Sequence, residues 1–173
     1  MLLLEFIKKL IRILNADVAP GEIAGGMALG SIIGFSPFFC LHNIVVILLI
    51  LLIRVNISTA IFSSVIFGLI GYLIDPFADS LGYYLLAEVD PLIPYWTKLY
   101  NLPIVPFFKF NNTVVLGSLV ISILLLLPIF LLTRMGVISY RKSLKERIEK
   151  MRIVKIIKAN KLYQWYSKIR STD

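Results

Sequence analysis

Polar side chains interrupt the apolar stretches of this chain at only a few places, and each interruption is a candidate for chemistry. Because a polar group in hydrocarbon is costly, such residues are often retained for function. Three of them flank Pro37, two follow the next apolar run, and two acids follow the run after that. The candidates are Ser36, His42, Asn43, Arg54, Asn56, Asp75 and Asp79.

The two acids have a spacing that suits a cation or a proton, because residues four apart share one face of a helix. The alternative for Asp75 and Asp79 is a solvated helix start, where the helix dipole favours carboxylates. His42 is either a hydrogen-bonded side chain near the headgroups or part of a proton relay. Arg54 fits the rule that basic residues lie on the cytoplasmic side.

Enzyme chemistry is not expected. The sequence has no nucleophile motif, phosphate-binding loop or pair of catalytic carboxylates. A single histidine and a single cysteine, Cys40, offer no ligand cluster for a metal and no intrachain disulfide. We therefore expect no catalytic residue, no cofactor and no metal.

Composition favours a membrane protein. Of the 173 residues, 58% are hydrophobic, and the mean hydropathy is +0.87; both are high for a soluble domain of this size. Val114 to Leu132 holds nineteen residues without a charge and then meets Arg134. A run of that length predicts a membrane-spanning helix. Residues 57–74 predict another, ended by Asp75 and Pro76.

The segment from Ala24 to Ile53 is too long for one upright span and contains Pro37, which breaks the helical hydrogen-bond ladder. It predicts either two short crossings or a re-entrant hairpin that bends near the proline. Small residues recur every four positions here and in two later segments, which allows close helix contact in lipid. The stripes are Gly26, Gly30 and Gly34; Ala60, Ser64 and Gly68; and Gly117 with Ser118 and Ser122.

The predicted fold is all-α: a polytopic membrane helical bundle with about four short crossings, or a re-entrant Gly-Pro hairpin among them. Residues 1–18 predict an amphipathic interfacial helix. Residues 19–133 form the bundle, with crossings at 24–39, 40–53, 57–74 and 113–132. Residues 76–110 form an interfacial segment, with a short helix over 77–89 followed by a proline-rich loop. Residues 134–173 form a basic amphipathic tail.

Charge predicts the orientation. Residues 134–173 carry twelve Lys or Arg against three acids, whereas the rest of the chain sums to −1. Basic flanks stay cytoplasmic, so the sequence predicts a multi-pass inner-membrane protein with both termini in the cytoplasm. The tail favours contact with an anionic leaflet, ahead of a partner-binding helix; nucleic acid is not an expected partner.

Several motifs together resemble a bacterial inner-membrane family of uncharacterised function, domain of unknown function 2062. They are the run Ala19-Pro20 with residues 23–30, the segment Ile33-Gly34-Phe35-Ser36-Pro37, the turn Arg54-Val55-Asn56, and Asp75-Pro76 with Gly82. Residues 110–118 resemble a narrower branch, often encoded beside a larger envelope protein, which implies such a partner. Many relatives carry Gly and Gln shortly after the proline, whereas this chain has residues 38–43 as Phe-Phe-Cys-Leu-His-Asn.

Three functions fit this pattern. The first is a non-enzymatic module that moves or presents a lipid-like amphiphile within an envelope system, since broken helices often mark transport sites. The second is a scaffold or anchor for a larger envelope partner. The third is a small-solute or ion transporter that uses Asp75 and Asp79. The expected partners are membrane lipids and that envelope protein; the oligomeric state stays open, a homo-oligomer included.

Overall fold

The computed structural model describes residues 18–150, with side chains through residue 143. This part of the chain is helical and contains no strand. Its α-helices are α1 (Pro20–Phe35), α2 (Leu41–Leu52), α3 (Ile57–Tyr83), α4 (Ile93–Tyr100) and α5 (Thr113–Lys150). The predicted interfacial helix at 1–18 and the tail beyond 150 lie outside the described residues, apart from Val18. The chain divides into two units between Met135 and Gly136, and the helical bundle belongs to the first.

Helices α1 and α3 pack side by side and run parallel. The amide of Asn56 donates to the carbonyl of Glu22 at the start of both helices (3.0 Å). One turn on, a Cβ at Gly26 would meet the carbonyl of Asn56, and further along, a Cβ at Gly34 would lie 2.8 Å from the amide nitrogen of Gly68. The two predicted small-residue stripes therefore face each other, and that contact sets the separation of the two backbones.

Helices α1 and α2 form a hairpin whose turn, residues 36–40, is called the hairpin turn. α1 ends at Phe35 because Pro37 cannot continue the helix. α2 runs back toward the start of α1. The next helix, α3, begins at this end, and Asn56 caps it by accepting a hydrogen bond from the amide of Thr59 (2.8 Å). The predicted break at Pro37 and the predicted polar turn at 54–56 are both present.

One apolar cluster joins the hairpin to α3 and α5. Residues on one face of α2, spaced four apart, meet α1 and α3 there, and side chains of α5 cover them. The cluster contains Ile32, Val46, Ile50 and Ala60, with Leu119 and Leu126 packed against it.

Helix α3 does not end at Asp75 and Pro76, so that prediction is wrong. The helix runs through the proline to Tyr83 and closes with a π-helical turn, Tyr84–Glu88. The separate helix predicted over 77–89 is therefore the end of α3. Packing explains the difference: a Cβ at Gly117 of α5 would meet the carbonyl of Ala78, and a Cβ at Gly82 would meet that of Thr113. This contact holds the helix together beyond the proline.

Helix α5 begins where the sequence predicts and extends further than predicted. The side chain of Asn112 accepts a hydrogen bond from the amide of Val115 (3.1 Å), which caps the helix start. The helix then continues past Pro128 and Arg134 to Lys150. The helix therefore runs across the predicted boundary between residues 133 and 134, and that boundary stays a prediction.

The segment between α3 and α5 is less irregular than the predicted proline-rich loop. It contains α4 and two 3-10 turns, Asp90–Leu92 and Val105–Phe108. The indole Nε1 of Trp96 donates to the carbonyl of Leu85 (2.8 Å), which ties α4 to the end of α3.

Two helical stretches, Ile57–Glu88 and Thr113–Ser143, are long and apolar enough to cross a membrane. Much of the outer surface is also apolar, because α2, α3 and α5 each leave large hydrophobic side chains exposed. Those of α2 are Ile44, Val45, Ile47, Leu48, Leu49, Leu51 and Leu52. Such a continuous exposed apolar surface is unusual for a soluble protein and indicates membrane association. The number of crossings stays a prediction.

Candidate functional site

An open pocket of about 520 Å³ lies between the hairpin turn and the middle of α3; it is called the hairpin pocket. One wall is the end of α1 and the first part of the turn, residues 33–38. The other wall is a single face of α3. That wall consists of Ser64, Val65, Gly68, Gly71, Tyr72 and Asp75. The volume falls within the range of about 300–1,000 Å³ typical of small-molecule sites.

Ser36 in the wall of this pocket has an unsatisfied polar group. Its side chain is 6% exposed, and its hydroxyl oxygen has no hydrogen-bond partner among the described residues. Buried polar groups are nearly always paired, because leaving one unpaired forfeits its hydration without a replacement. Ser36 belongs to the pocket wall, but its hydroxyl oxygen has almost no accessible surface, so a molecule in the pocket does not reach it in this conformation.

Asn43 closes the hairpin turn. It is 1% exposed, and its Nδ2 donates to the carbonyls of Pro37 (2.9 Å) and Phe38 (3.1 Å). The amide of Cys40 also donates to the carbonyl of Phe38 (3.0 Å). Pro37 has no amide hydrogen that would need a partner. The carbonyls of Pro37 and Phe38 have partners within the protein, so these groups need no hydrogen bond to solvent. Asn43 thus positions the part of the turn that lines the pocket.

His42 is buried, and the hydrogen bond expected for it is not present among the described residues, whereas its position near the headgroups stays a prediction. It is 5% exposed, and neither ring nitrogen has a hydrogen-bond partner among the described residues. It lies on the inner face of α2, four residues before Val46, so the helix turns it toward α1 and α3 rather than outward. It is not among the residues that line the hairpin pocket.

The end of α1 presents backbone carbonyls to α3. A Cβ at Gly71 would lie 3.3 Å from the carbonyl oxygen of Gly34 and 3.7 Å from that of Phe35. The last carbonyls of a helix lack intrahelical partners and carry the negative end of its dipole. Because position 71 is glycine, these carbonyls stay uncovered by a side chain at this position.

Asp75 is the single charged residue among the residues lining the hairpin pocket. Asp79 is not among these residues, and its carboxylate accepts a hydrogen bond from the hydroxyl of Thr113; a joint site of Asp75 and Asp79 stays a prediction. Helix α3 is continuous here, so the alternative of a solvated helix start is wrong for both acids. Among the described residues, no group of three or more His, Cys, Asp or Glu could hold a metal ion.

The remaining candidates support the framework rather than the pocket. Gly26 and Gly30 are covered by the backbone of α3, since a Cβ at Gly30 would meet the carbonyl of Ala60. Asn56 is committed to the cap of α3, where it also accepts from the Thr59 hydroxyl (3.0 Å). Arg54 is exposed in the polar turn, away from the residues that line the pocket.

Sequence reasoning missed Gly71, Tyr72 and the aromatic residues of the other wall, Phe35 and Phe38. A signal was available: positions 64, 68, 71, 72 and 75 continue one helix face, and on it small residues give way to an aromatic ring and a carboxylate. The sequence predicts only a packing surface for this stripe, because it does not identify the partner of the stripe, which is the end of α1.

A second, smaller pocket of about 280 Å³ lies in the segment between α3 and α5. Aromatic and amide side chains dominate its lining, among them Trp96, Tyr100, Phe110, Asn101 and Asn111.

These features define an all-helical bundle with two membrane-length helices and a pocket beside a broken hairpin. The chain belongs to the bacterial family described as "Uncharacterized protein conserved in bacteria (DUF2062)", which it matches over residues 5–145. It is 32% identical over 139 residues to an "Uncharacterized protein" of Treponema pallidum (strain Nichols), covering 80% of this chain and 85% of the relative. No solved structure matches significantly. The predicted family is therefore confirmed.

Proposed function

We propose that the protein is a multi-pass inner-membrane protein whose hairpin pocket binds a lipid-like amphiphile and presents it within an envelope system, without catalysis. The observation that carries this proposal is the hairpin pocket itself, an open pocket of about 520 Å³ that contains one carboxylate, Asp75, among apolar and small polar side chains. The pocket opens beside exposed apolar side chains such as Val65 and Leu69. The pocket would hold the polar head of an amphiphile, and the exposed apolar surface would contact its acyl chain.

The proposal includes a re-entrant hairpin. α1 has 16 residues and α2 has 12, so at 1.5 Å per residue they reach about 24 and 18 Å. A bilayer core is about 30 Å thick. Irregular backbone inside that core needs internal partners, and the contacts of Asn43 provide them. On this proposal the turn lies inside the bilayer, and α3 and α5 alone cross it.

The proposed orientation follows the charges. The starts of α1 and α3 lie together, beside Arg54, and this end is placed in the cytoplasm. The acids Asp75, Asp79, Glu88 and Asp90 then fall toward the opposite face. The hairpin pocket consequently belongs to the outer half of the inner membrane, with Asp75 near the level of the headgroups. Such a location suits the presentation of a lipid to an envelope partner.

A pocket-filling substitution tests the proposal. Gly68 lines the pocket, and a Cβ there meets one atom at 3.8 Å, which is ordinary contact, so Gly68→Leu adds a bulky side chain to the pocket wall. The matched control is Gly136→Leu, because a Cβ at Gly136 has nothing within 4 Å. Full-length chains are purified in mild detergent, and retained lipid is quantified by mass spectrometry. Thermal unfolding of each variant verifies the fold.

We expect the wild type and the control to retain an amphiphile near one per chain, and Gly68→Leu to lose most of it. In liposomes that contain a fluorescent lipid, the same variant should slow any redistribution that the wild type supports. If all three chains retained the same amount of lipid, the hairpin pocket would not be the lipid-binding site.

An anchoring role through the basic tail is a separate hypothesis that rests on sequence charge alone, since the tail beyond residue 150 lies outside the described residues. Its test is co-purification of a larger envelope protein, with and without residues 151–173. Loss of the partner on truncation would favour anchoring over lipid presentation.

A further inference from the structure

We propose that the hairpin pocket recognises an alkylammonium group, carried by the zwitterionic headgroup of a membrane phospholipid. This inference rests on the proposed function and names the ligand's headgroup. It is argued from the charge of Asp75 and from the negative end of the α1 dipole, because both favour a cation in the pocket.

The first contribution is Asp75. It is half-buried and is the one charged side chain in the lining, whereas Lys, Arg and His are absent from it. A phosphate or carboxylate head without a cation would meet an uncompensated negative charge there. Coulomb repulsion between like charges grows as the local dielectric falls, so the penalty is larger at the bilayer boundary than in water.

The second contribution is the end of α1. Ile33, Gly34 and Phe35 line the pocket, and they form the last turn of a 16-residue helix. The carbonyl oxygens of Gly34 and Phe35 stand beside Gly71, which has no side chain to cover them. The negative end of the helix dipole therefore adds to the field of Asp75, and both favour a cation.

The third contribution separates an organic cation from a bare metal ion. Tyr72 and Phe38 belong to the pocket lining and are 78% and 63% exposed, so neither ring is covered by other side chains. Aromatic faces attract ammonium groups through their quadrupoles, and aromatic-lined sites for alkylammonium ligands are a common use of this interaction. A divalent metal prefers a set of oxygen ligands, and the lining contains a single carboxylate.

The hydroxyl of Ser36 does not hold the phosphate of the headgroup. It is buried, faces no partner among the described residues and lines the same pocket. Its oxygen has almost no accessible surface and follows the negative end of α1, so the phosphate of a headgroup whose ammonium lies at Asp75 stays outside the pocket. An ammonium with an adjacent phosphate is the chemistry of phosphatidylethanolamine.

The test compares two lipids with identical acyl chains: phosphatidylethanolamine, which carries the ammonium, and phosphatidylglycerol, which lacks it. Delipidated full-length protein in detergent micelles is titrated with each lipid, and the bound fraction is measured by native mass spectrometry. We expect the wild type to bind phosphatidylethanolamine about tenfold more tightly, the effect of one charge-assisted hydrogen bond.

Asp75→Asn should lose this preference, whereas Asp79→Asn, one turn further along and hydrogen-bonded to Thr113, should keep it. Tyr72→Leu offers a second variant at an exposed position and should weaken phosphatidylethanolamine binding selectively. If Asp75→Asn keeps the wild-type preference, the ammonium assignment is overturned.

The outcomes separate the two proposals. If neither lipid binds the wild type, the proposed function fails together with this inference. If both bind equally, the amphiphile pocket stands and the ammonium assignment falls. The last measurement adds soluble phosphoethanolamine as a competitor of phosphatidylethanolamine. Weak competition supports a lipid as the ligand. Competition at the affinity of the lipid would show that the ligand is a soluble ammonium compound and would overturn the lipid assignment.

Discussion

At the scale of single residues, the polar side chains near Pro37 have three different roles. Ser36 is part of the pocket wall and has a buried, unpaired hydroxyl, Asn43 binds the backbone of the turn, and His42 is buried without a partner among the described residues. Their importance is predictable from the sequence, since polar groups are costly in lipid. The different roles of these residues are not predictable from the sequence, because the carbonyls that Asn43 binds come together only when the turn forms.

Replacing Asn43 should therefore destabilise the fold. Asn43→Leu removes both donors and leaves the carbonyl of Pro37 unpaired, so we expect the free energy of unfolding to fall by about 1–3 kcal/mol. The measurement is denaturant or thermal unfolding in detergent. Asn101→Leu is the control, because Asn101 also donates to a carbonyl, that of Thr97 (2.9 Å), but at an exposed position. Equal losses in the two variants would contradict the role given to Asn43.

At the scale of elements, the four-residue spacing of small residues predicts close helix contact, and the structure supplies its geometry. The stripe of α1 faces the stripe of α3 in parallel register, from Gly26 near Asn56 to Gly34 near Gly68. Spacing alone identifies the faces but not their partners. Proline misled the prediction at Pro76, because the local cost of a missing hydrogen bond is outweighed by the packing of Ala78 against Gly117.

Adding one methyl group at this interface tests the register. In Gly30→Ala the new Cβ would meet the carbonyl of Ala60, a backbone atom that cannot rotate away. The helices must then separate, and we expect a loss of about 1–3 kcal/mol in unfolding free energy. Gly21→Ala, where a Cβ meets nothing within 4 Å, should be neutral or stabilising by roughly 0.4–1 kcal/mol. The opposite order of the two variants would contradict the parallel packing.

At the scale of the whole molecule, the two long apolar helices and the exposed apolar surface are consequences of composition, and both are predictable from the sequence. The depth of the hairpin turn in the membrane is not predictable from the sequence, because it depends on the register between α1 and α3. The turn lies beside Gly68 and Gly71, about 21 Å along α3 from its start at Ile57. That distance is shorter than a bilayer core of about 30 Å.

The central claim is that the hairpin turns back inside the membrane. Its test uses single cysteines in a Cys40→Ser background, at Phe39 in the turn, at Arg54, and at Ile104 between α3 and α5. A membrane-impermeant maleimide is added to inside-out and to right-side-out vesicles. We predict that position 54 reacts from the cytoplasmic face alone, position 104 from the opposite face alone, and position 39 from neither until detergent is added. Labelling of position 39 from the same face as position 104, and as fast, would mean that the hairpin crosses the membrane and would contradict the re-entrant hairpin.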